Sequence, residues 1–178
     1  MPEFPYKPSI PTVTLCWWDI FGSGHVGSLE SVPSSTTWPS ANMALYTPVW
    51  TPVPLVIVKL FILNGATVNA ANNIDLGIYS EDGTRLVSSG STAQGSANTL
   101  QEFDITDTLI GPGKFYLAQA CDTTAATFWQ FPLNAVWHAK AVGIKEQATA
   151  FALPASATFA TFARSWIPAI GATTRVVV

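Results

Sequence analysis

NIDLGIYSEDGTRLVSSGS, residues Asn73 to Ser91, is the stretch whose reading decides the fold. Ile74, Leu76 and Ile78 alternate with Asn73, Asp75, Gly77 and Tyr79, the period of a strand with one buried face. The run breaks at Glu81-Asp82-Gly83-Thr84. Asp-Gly tolerates positive φ, so the chain reverses there and pairs Tyr79 and its neighbours with Arg85 to Ser88. A polar connection from Gly90 to Asn98 leads to LQEFDI, and Ile110-Gly111-Pro112-Gly113 turns the chain into KFYLAQAC. Hairpins and turns in this succession predict an all-β chain, an antiparallel β-sandwich.

Upstream, LVIVKLFIL (Leu55 to Leu63) is β-branched and nearly continuous, as expected of a central strand between two packed layers. Pro48, Pro52 and Pro54 precede it; proline donates nothing to a ladder, so Thr47 to Pro54 reads as an edge or a connection. VTLCWWDIF, from Val13, is a further strand in which Trp17 and Trp18 must point to opposite faces. The opening segment sets Pro2, Pro5, Pro8 and Pro11 at a spacing of three, the repeat of polyproline II. One edge of a pre-stiffened arm would then carry the rings and the others Phe4, Tyr6 and Ile10. Downstream, ATFWQF and VWHAKAVGI read as two strands separated by Pro132-Leu133-Asn134. Phe159, Phe162 and Trp166 stand at helical spacing and predict a short helix, though the Ala/Thr composition and Leu153-Pro154 also fit a strand or loop, while Arg175 to Val178 reads as a terminal strand able to add to an edge of its own sheet or a neighbour's. The expected organisation is an extended arm over 1–12, a sandwich over 13–150, and an apolar tail over 151–178 that packs on the sandwich or a neighbour.

The strand IDLGIYSEDGTRLVSSGST, the run FDITDT and the segment LIGPGKFYLAQACD together resemble small jelly-roll domains in structural proteins of tailed bacteriophages. A looser likeness extends to FALPASATFATFARSWIPAIG near the C-terminus. The same segments are similar, more distantly, to β-sandwich carbohydrate-binding or prepeptidase-type domains of secreted bacterial enzymes. The phage resemblance implies a virion component, such as a capsid decoration protein or a neck or tail-fibre appendage, with no catalytic residues to carry over.

Composition fits that expectation. Charged residues make up 11 % and apolar residues 48 % of the 178, with seven Trp, so a free monomer has little charge with which to cover its surface. The opposing reading is a Thr/Ser/Ala surface, polar without charge. Net charge is −3 and the eight Lys and Arg are scattered singly, which removes the main source of affinity for nucleic acid. Val53 to Leu63 is too short and too interrupted to span a membrane. MPEFPYKPSIPT lacks the basic and apolar regions of a secretory leader, so the expected route is synthesis in a host cytoplasm and residence in a virion. Cys16 and Cys121 have no metal spacing and read as buried small apolar side chains, with a bridge between them left open.

Groups for catalysis are sparse. Gly22-Ser23-Gly24-His25-Val26-Gly27 matches a dinucleotide fingerprint in letters, but the following SLESVPSSTTWPS opposes the helix that fingerprint requires. Asp19, Ser23 and His25 are too crowded in sequence for a triad, and His138 reads as a structural side chain on a strand. Asp104 and Asp107 read as backbone-bonding residues at a strand end and turn; neither they nor Asp82 has calcium-loop spacing. The sequence therefore predicts no enzyme, no cofactor and no metal. It predicts assembly with copies of itself, a trimer among the options, and with other virion proteins. The expected contacts are Pro2, Phe4, Pro5, Tyr6, Pro8, Pro11, Trp17, Trp18, Trp166, Val176, Val177 and Val178. The competing reading is a carbohydrate-binding module with a row of solvent-facing Trp and Tyr rings.

Overall fold

The computed structural model describes residues 12–16, 34–132 and 136–176. One four-stranded sheet has the order β1 (Thr12–Cys16), β14 (Ile170–Val176), β4 (Leu55–Leu63), β8 (Leu100–Ile110). The sheet facing it runs β12 (Ala160–Thr161), β11 (Lys145–Gln147), β3 (Met43–Thr51), β9 (Gly113–Cys121), β5 (Asn73–Ser80), β6 (Arg85–Ser88), with β7 (Thr92–Ala93) also on β5. A small third sheet joins β13 (Trp166–Pro168), β10 (Thr127–Pro132) and β2 (Ser34–Thr37). All pairings are antiparallel.

Setting aside the short strands, the chain visits the two large sheets in the orders β1-β14-β4-β8 and β3-β9-β5-β6. First, last, third and sixth strands form one sheet; second, seventh, fourth and fifth form the other. That is the double Greek-key winding of a jelly roll. Ile57, Leu60 and Ile62 of β4 interleave with Ile74, Leu76 and Ile78 of β5 and Leu117 of β9 in a filled apolar core. LVIVKLFIL is central as expected, with β14 on one side and β8 on the other.

The hairpin at Glu81 to Thr84 forms as read, with Ile78 opposite Val87, Tyr79 opposite Arg85, and Gly83 at φ +89°. The expectation of one buried face on β5 is corrected: Asp75 and Tyr79, on its other face, are buried as well. Their cover is the segment from Ala150 to Phe159, which lies across the outer face of the larger sheet and closes a second core of Tyr46, Tyr79, Tyr116 and Leu153. Phe159 packs 5.0 Å from Tyr46 and 4.7 Å from Tyr116, ring centre to ring centre. Backbone bonds fix this strap at Ala150 N–H to Asn42 O, Arg85 N–H to Ala155 O and Ala157 N–H to Gly83 O.

Three further readings change and one holds. VWHAKAVGI is not a strand; Val136–Val142 is helix α1, favoured by Ala139, Lys140 and Ala141 and stopped where the N–H groups of Gly143 and Ile144 return to Ala139 O. The helix expected through Phe159, Phe162 and Trp166 is absent. The chain crosses the sheet edge there, sending Phe159 to the outer core and Phe162 and Trp166 to the inner one, so their spacing was coincidental. Thr47 to Pro54 is edge and connection as read: β11 pairs only Ala44 to Tyr46, so Thr47 to Thr51 of β3 is paired with β9 on one side, and Pro52 to Pro54 link β3 to β4. Arg175 and Val176 do not await an edge; β14 is interior, hydrogen-bonded to β1 and β4.

Candidate assembly surface

One end of the sandwich gathers the β3–β4 connection, the β5–β6 turn and the β8–β9 corner. Registers place them together: Thr51 stands opposite Gly113, Leu55 opposite both Ile110 and Val176, and Thr12 opposite Arg175. Pro52 and Pro54 cannot extend a ladder, so β3 must break and re-enter the other sheet as β4. Thr51 Oγ1 donates to Val53 O at 2.5 Å and fixes that connection. Gly111, at φ +86°, approaches so closely that a Cβ there would lie 2.7 Å from Thr51 Cγ2 and 2.9 Å from Val53 O.

The result is an apolar end. Trp50 is 57 % exposed, Val53 45 % and Leu109 62 %, and Pro52, Pro54 and Pro112 are exposed between them. Trp50 follows Tyr46 and Pro48 on the outer face of the larger sheet, while Leu109, next to the buried Ile110, turns to the outer face of the smaller one. Charges nearby are paired. Lys114 lies 3.5 Å from Glu81 and sits over the Tyr116 ring, whose hydroxyl, with Glu81 adding less, holds its ammonium above the usual range. Arg175 pairs with Asp107, and Lys59 lies 3.3 Å from Glu102 and 3.7 Å from Asp104. Asp104 and Asp107 are thus exposed strand residues with cationic partners, not a strand end and turn.

Of the contacts expected from sequence, Pro2, Phe4, Pro5, Tyr6, Pro8, Pro11, Trp17, Trp18, Val177 and Val178 lie outside the described residues. Trp166 is half-buried, edge-on to Phe162 at 5.6 Å and to Trp38 at 6.4 Å. Val176 pairs with Leu55 at the apolar end. Trp50, Val53 and Leu109 are not among those expected contacts. For Trp50 alone a local signal existed in the period: with Leu45 and Val49 facing inward, Trp50 must face out.

The rest of the described chain offers little chemistry. Among the described residues no three His, Cys, Asp or Glu converge as metal ligands, and no helix is long and apolar enough to cross a membrane. His138 stands on α1, not on a strand, and His25 lies outside the described residues. Asp75 is 1 % exposed and accepts from Leu153 N–H at 3.0 Å and Ser88 Oγ at 2.6 Å, a structural set of partners. Cys121 is a free buried thiol, pushed up to about 11 by burial. Asp82 caps its own turn, bonding Ser80 Oγ and Thr84 N–H, and those bonds lower its carboxyl. Among the Trp residues whose exposure is described, Trp38 is buried, Trp129 and Trp166 half-buried, and Trp50 alone exposed; Tyr46, Tyr79 and Tyr116 are buried, so these rings form no solvent-facing row.

No family model matches the chain, and no curated protein matches it. A solved structure similar to it is the D431N mutant VP2 protein of infectious bursal disease virus, in derived T=1 particles, at 7 % identity and a TM-score of 0.32. The match covers 99 % of this chain and 45 % of that one, so the chain spans less than half the length of that protein.

Proposed function

We propose that this chain is a non-enzymatic structural protein of a virion, of the tailed-phage kind, that works by burying its surface against copies of itself and other virion proteins. Capsid decoration and a neck or tail appendage are the two positions that suit it. The observation that carries the reading is the apolar end: Trp50, Val53 and Leu109 are exposed, rimmed by prolines and by charges already paired. Exposed apolar side chains at one end of the sandwich, on a chain with 11 % charged residues, mark a contact surface. A fold alone assigns no role, since jelly rolls serve capsids, lectins and cupins alike. Here both cores are built of apolar and aromatic side chains, and Lys59, Asp75, Glu81, Asp82, Glu102, Asp104, Asp107, Lys114 and Arg175 are engaged in ion pairs or structural hydrogen bonds rather than turned toward a shared cleft.

The test is to purify particles from a host expressing this chain, strip loosely bound material with salt, and identify the retained proteins by mass. Retention of the chain at a fixed ratio to the shell protein is expected. Its complete loss to the soluble fraction, together with saturable binding to a glycan array, would replace this reading with the carbohydrate-binding one.

A further inference from the structure

We propose that residues 1–11 of one copy dock across the apolar end of a second copy, with Trp50, Val53 and Leu109 as the receiving side chains. This rests on the assembly reading and adds the identity of the two surfaces. The chain enters the described fold at Thr12, opposite Arg175, so the first eleven residues join the molecule at the same end that exposes the apolar side chains. Their chemistry is complementary: prolines at every third position with Phe4, Tyr6 and Ile10 between them, facing a surface of Trp, Val, Leu and Pro. Proline-rich segments dock on exposed aromatic surfaces because little chain entropy remains to be lost.

Length agrees. Eleven residues at ~3.1 Å each extend to about 34 Å. Packed sheets stand roughly 10 Å apart. The segment is therefore long enough to run from Trp50 on one outer face, over Val53 at the corner, to Leu109 on the other. A second copy, rather than the chain's own end, is the receiver this composition favours, since 11 % charged residues leave a free monomer little with which to cover its surface.

Two full-length variants test it: Trp50→Ser, which removes the receiving ring, and Phe4→Ser with Tyr6→Ser and Ile10→Ser, which strips the arm but keeps its prolines. Sedimentation velocity of each alone should show association weakened about 30-fold or more, the scale of a lost central aromatic contact. Mixed, the two should form a one-to-one complex, because the intact arm of the first meets the intact end of the second. Trp50→Phe should associate like the parent. A parent chain that never associates overturns the assembly reading itself. A parent that associates while Trp50→Ser does so equally well overturns the docking site alone. Loss in Trp50→Ser with none in the arm variant means that two ends pack on each other, and also overturns the proposal.

Discussion

Asp75→Ala should free the strap over the outer sheet face without unfolding the sandwich. The carboxylate is buried on β5 and reaches Leu153 N–H at 3.0 Å, 78 residues away in sequence, while Ser88 Oγ donates to its other oxygen at 2.6 Å. Alanine leaves the Leu153 N–H buried without an acceptor and the Ser88 hydroxyl without its partner. An orphaned buried donor costs about 1–3 kcal/mol, and with the charge-assisted bond lost we expect roughly 3 kcal/mol, concentrated in the strap. Asparagine is milder: its carbonyl can accept from Leu153 while its amide donates to Ser88 Oγ, so about 1 kcal/mol is expected. The assay is native-state hydrogen exchange. The Leu153 and Ala157 amides should exchange on the order of 100-fold faster in Asp75→Ala and about fivefold faster in Asp75→Asn, with Ile57 and Leu60 of β4 little changed. Equal acceleration of strap and β4 amides would refute the reasoning, because it would make strap and sandwich one cooperative unit. So would no acceleration at all.

Three other outcomes are expected. Phe162→Ala, which empties a fully buried ring site beside Trp166, should cost about 3–5 kcal/mol and lower the denaturant midpoint with an unchanged slope. Gly111→Ala combines a positive φ with a Cβ 2.7 Å from Thr51 Cγ2; about 2–4 kcal/mol is expected, read as a thermal midpoint lowered by roughly 5–15 °C. Burial raises the Tyr46 hydroxyl to about 12, raises Tyr79 further, and raises the Cys121 thiol to about 11. All three are folded-state values above the unfolded ones, so their contribution is complete below pH ~9 and lost as pH climbs through 9 to 12. Tyrosinate absorbance from Tyr46 and Tyr79 should then appear with the unfolding transition, and a smooth rise on a still-folded protein would contradict their placement.

Much of the sandwich was legible because its signals are local. Asp82-Gly83 marks a reversal, the β4 run is apolar but for Lys59, and Gly111-Pro112 turns a corner; each acts within a few residues. What failed depended on distant partners. Nothing near Asp75 and Tyr79 shows that a segment some 75 residues later will cover them, so a strand buried on both sides reads as half-buried. Phe159, Phe162 and Trp166 mimic a helical stripe, and only the sheet edge lying between their destinations separates them. VWHAKAV carries aromatic and β-branched residues beside helix formers, and at seven residues its period is too short to arbitrate. For the candidate surface, the composition showed that contacts were expected. Placing them at Trp50, Val53 and Leu109 required knowing that β3, β4, β8 and β14 meet at one end.

The central claim, that this jelly roll is made to be covered by neighbours, is tested most directly by light-scattering mass of the purified full chain across a concentration series. The account predicts a mass that settles at a multiple of 19.0 kDa as concentration rises, and that falls toward the single chain when Trp50 is replaced by Ser. A stable, monodisperse 19.0 kDa species at every concentration would contradict it.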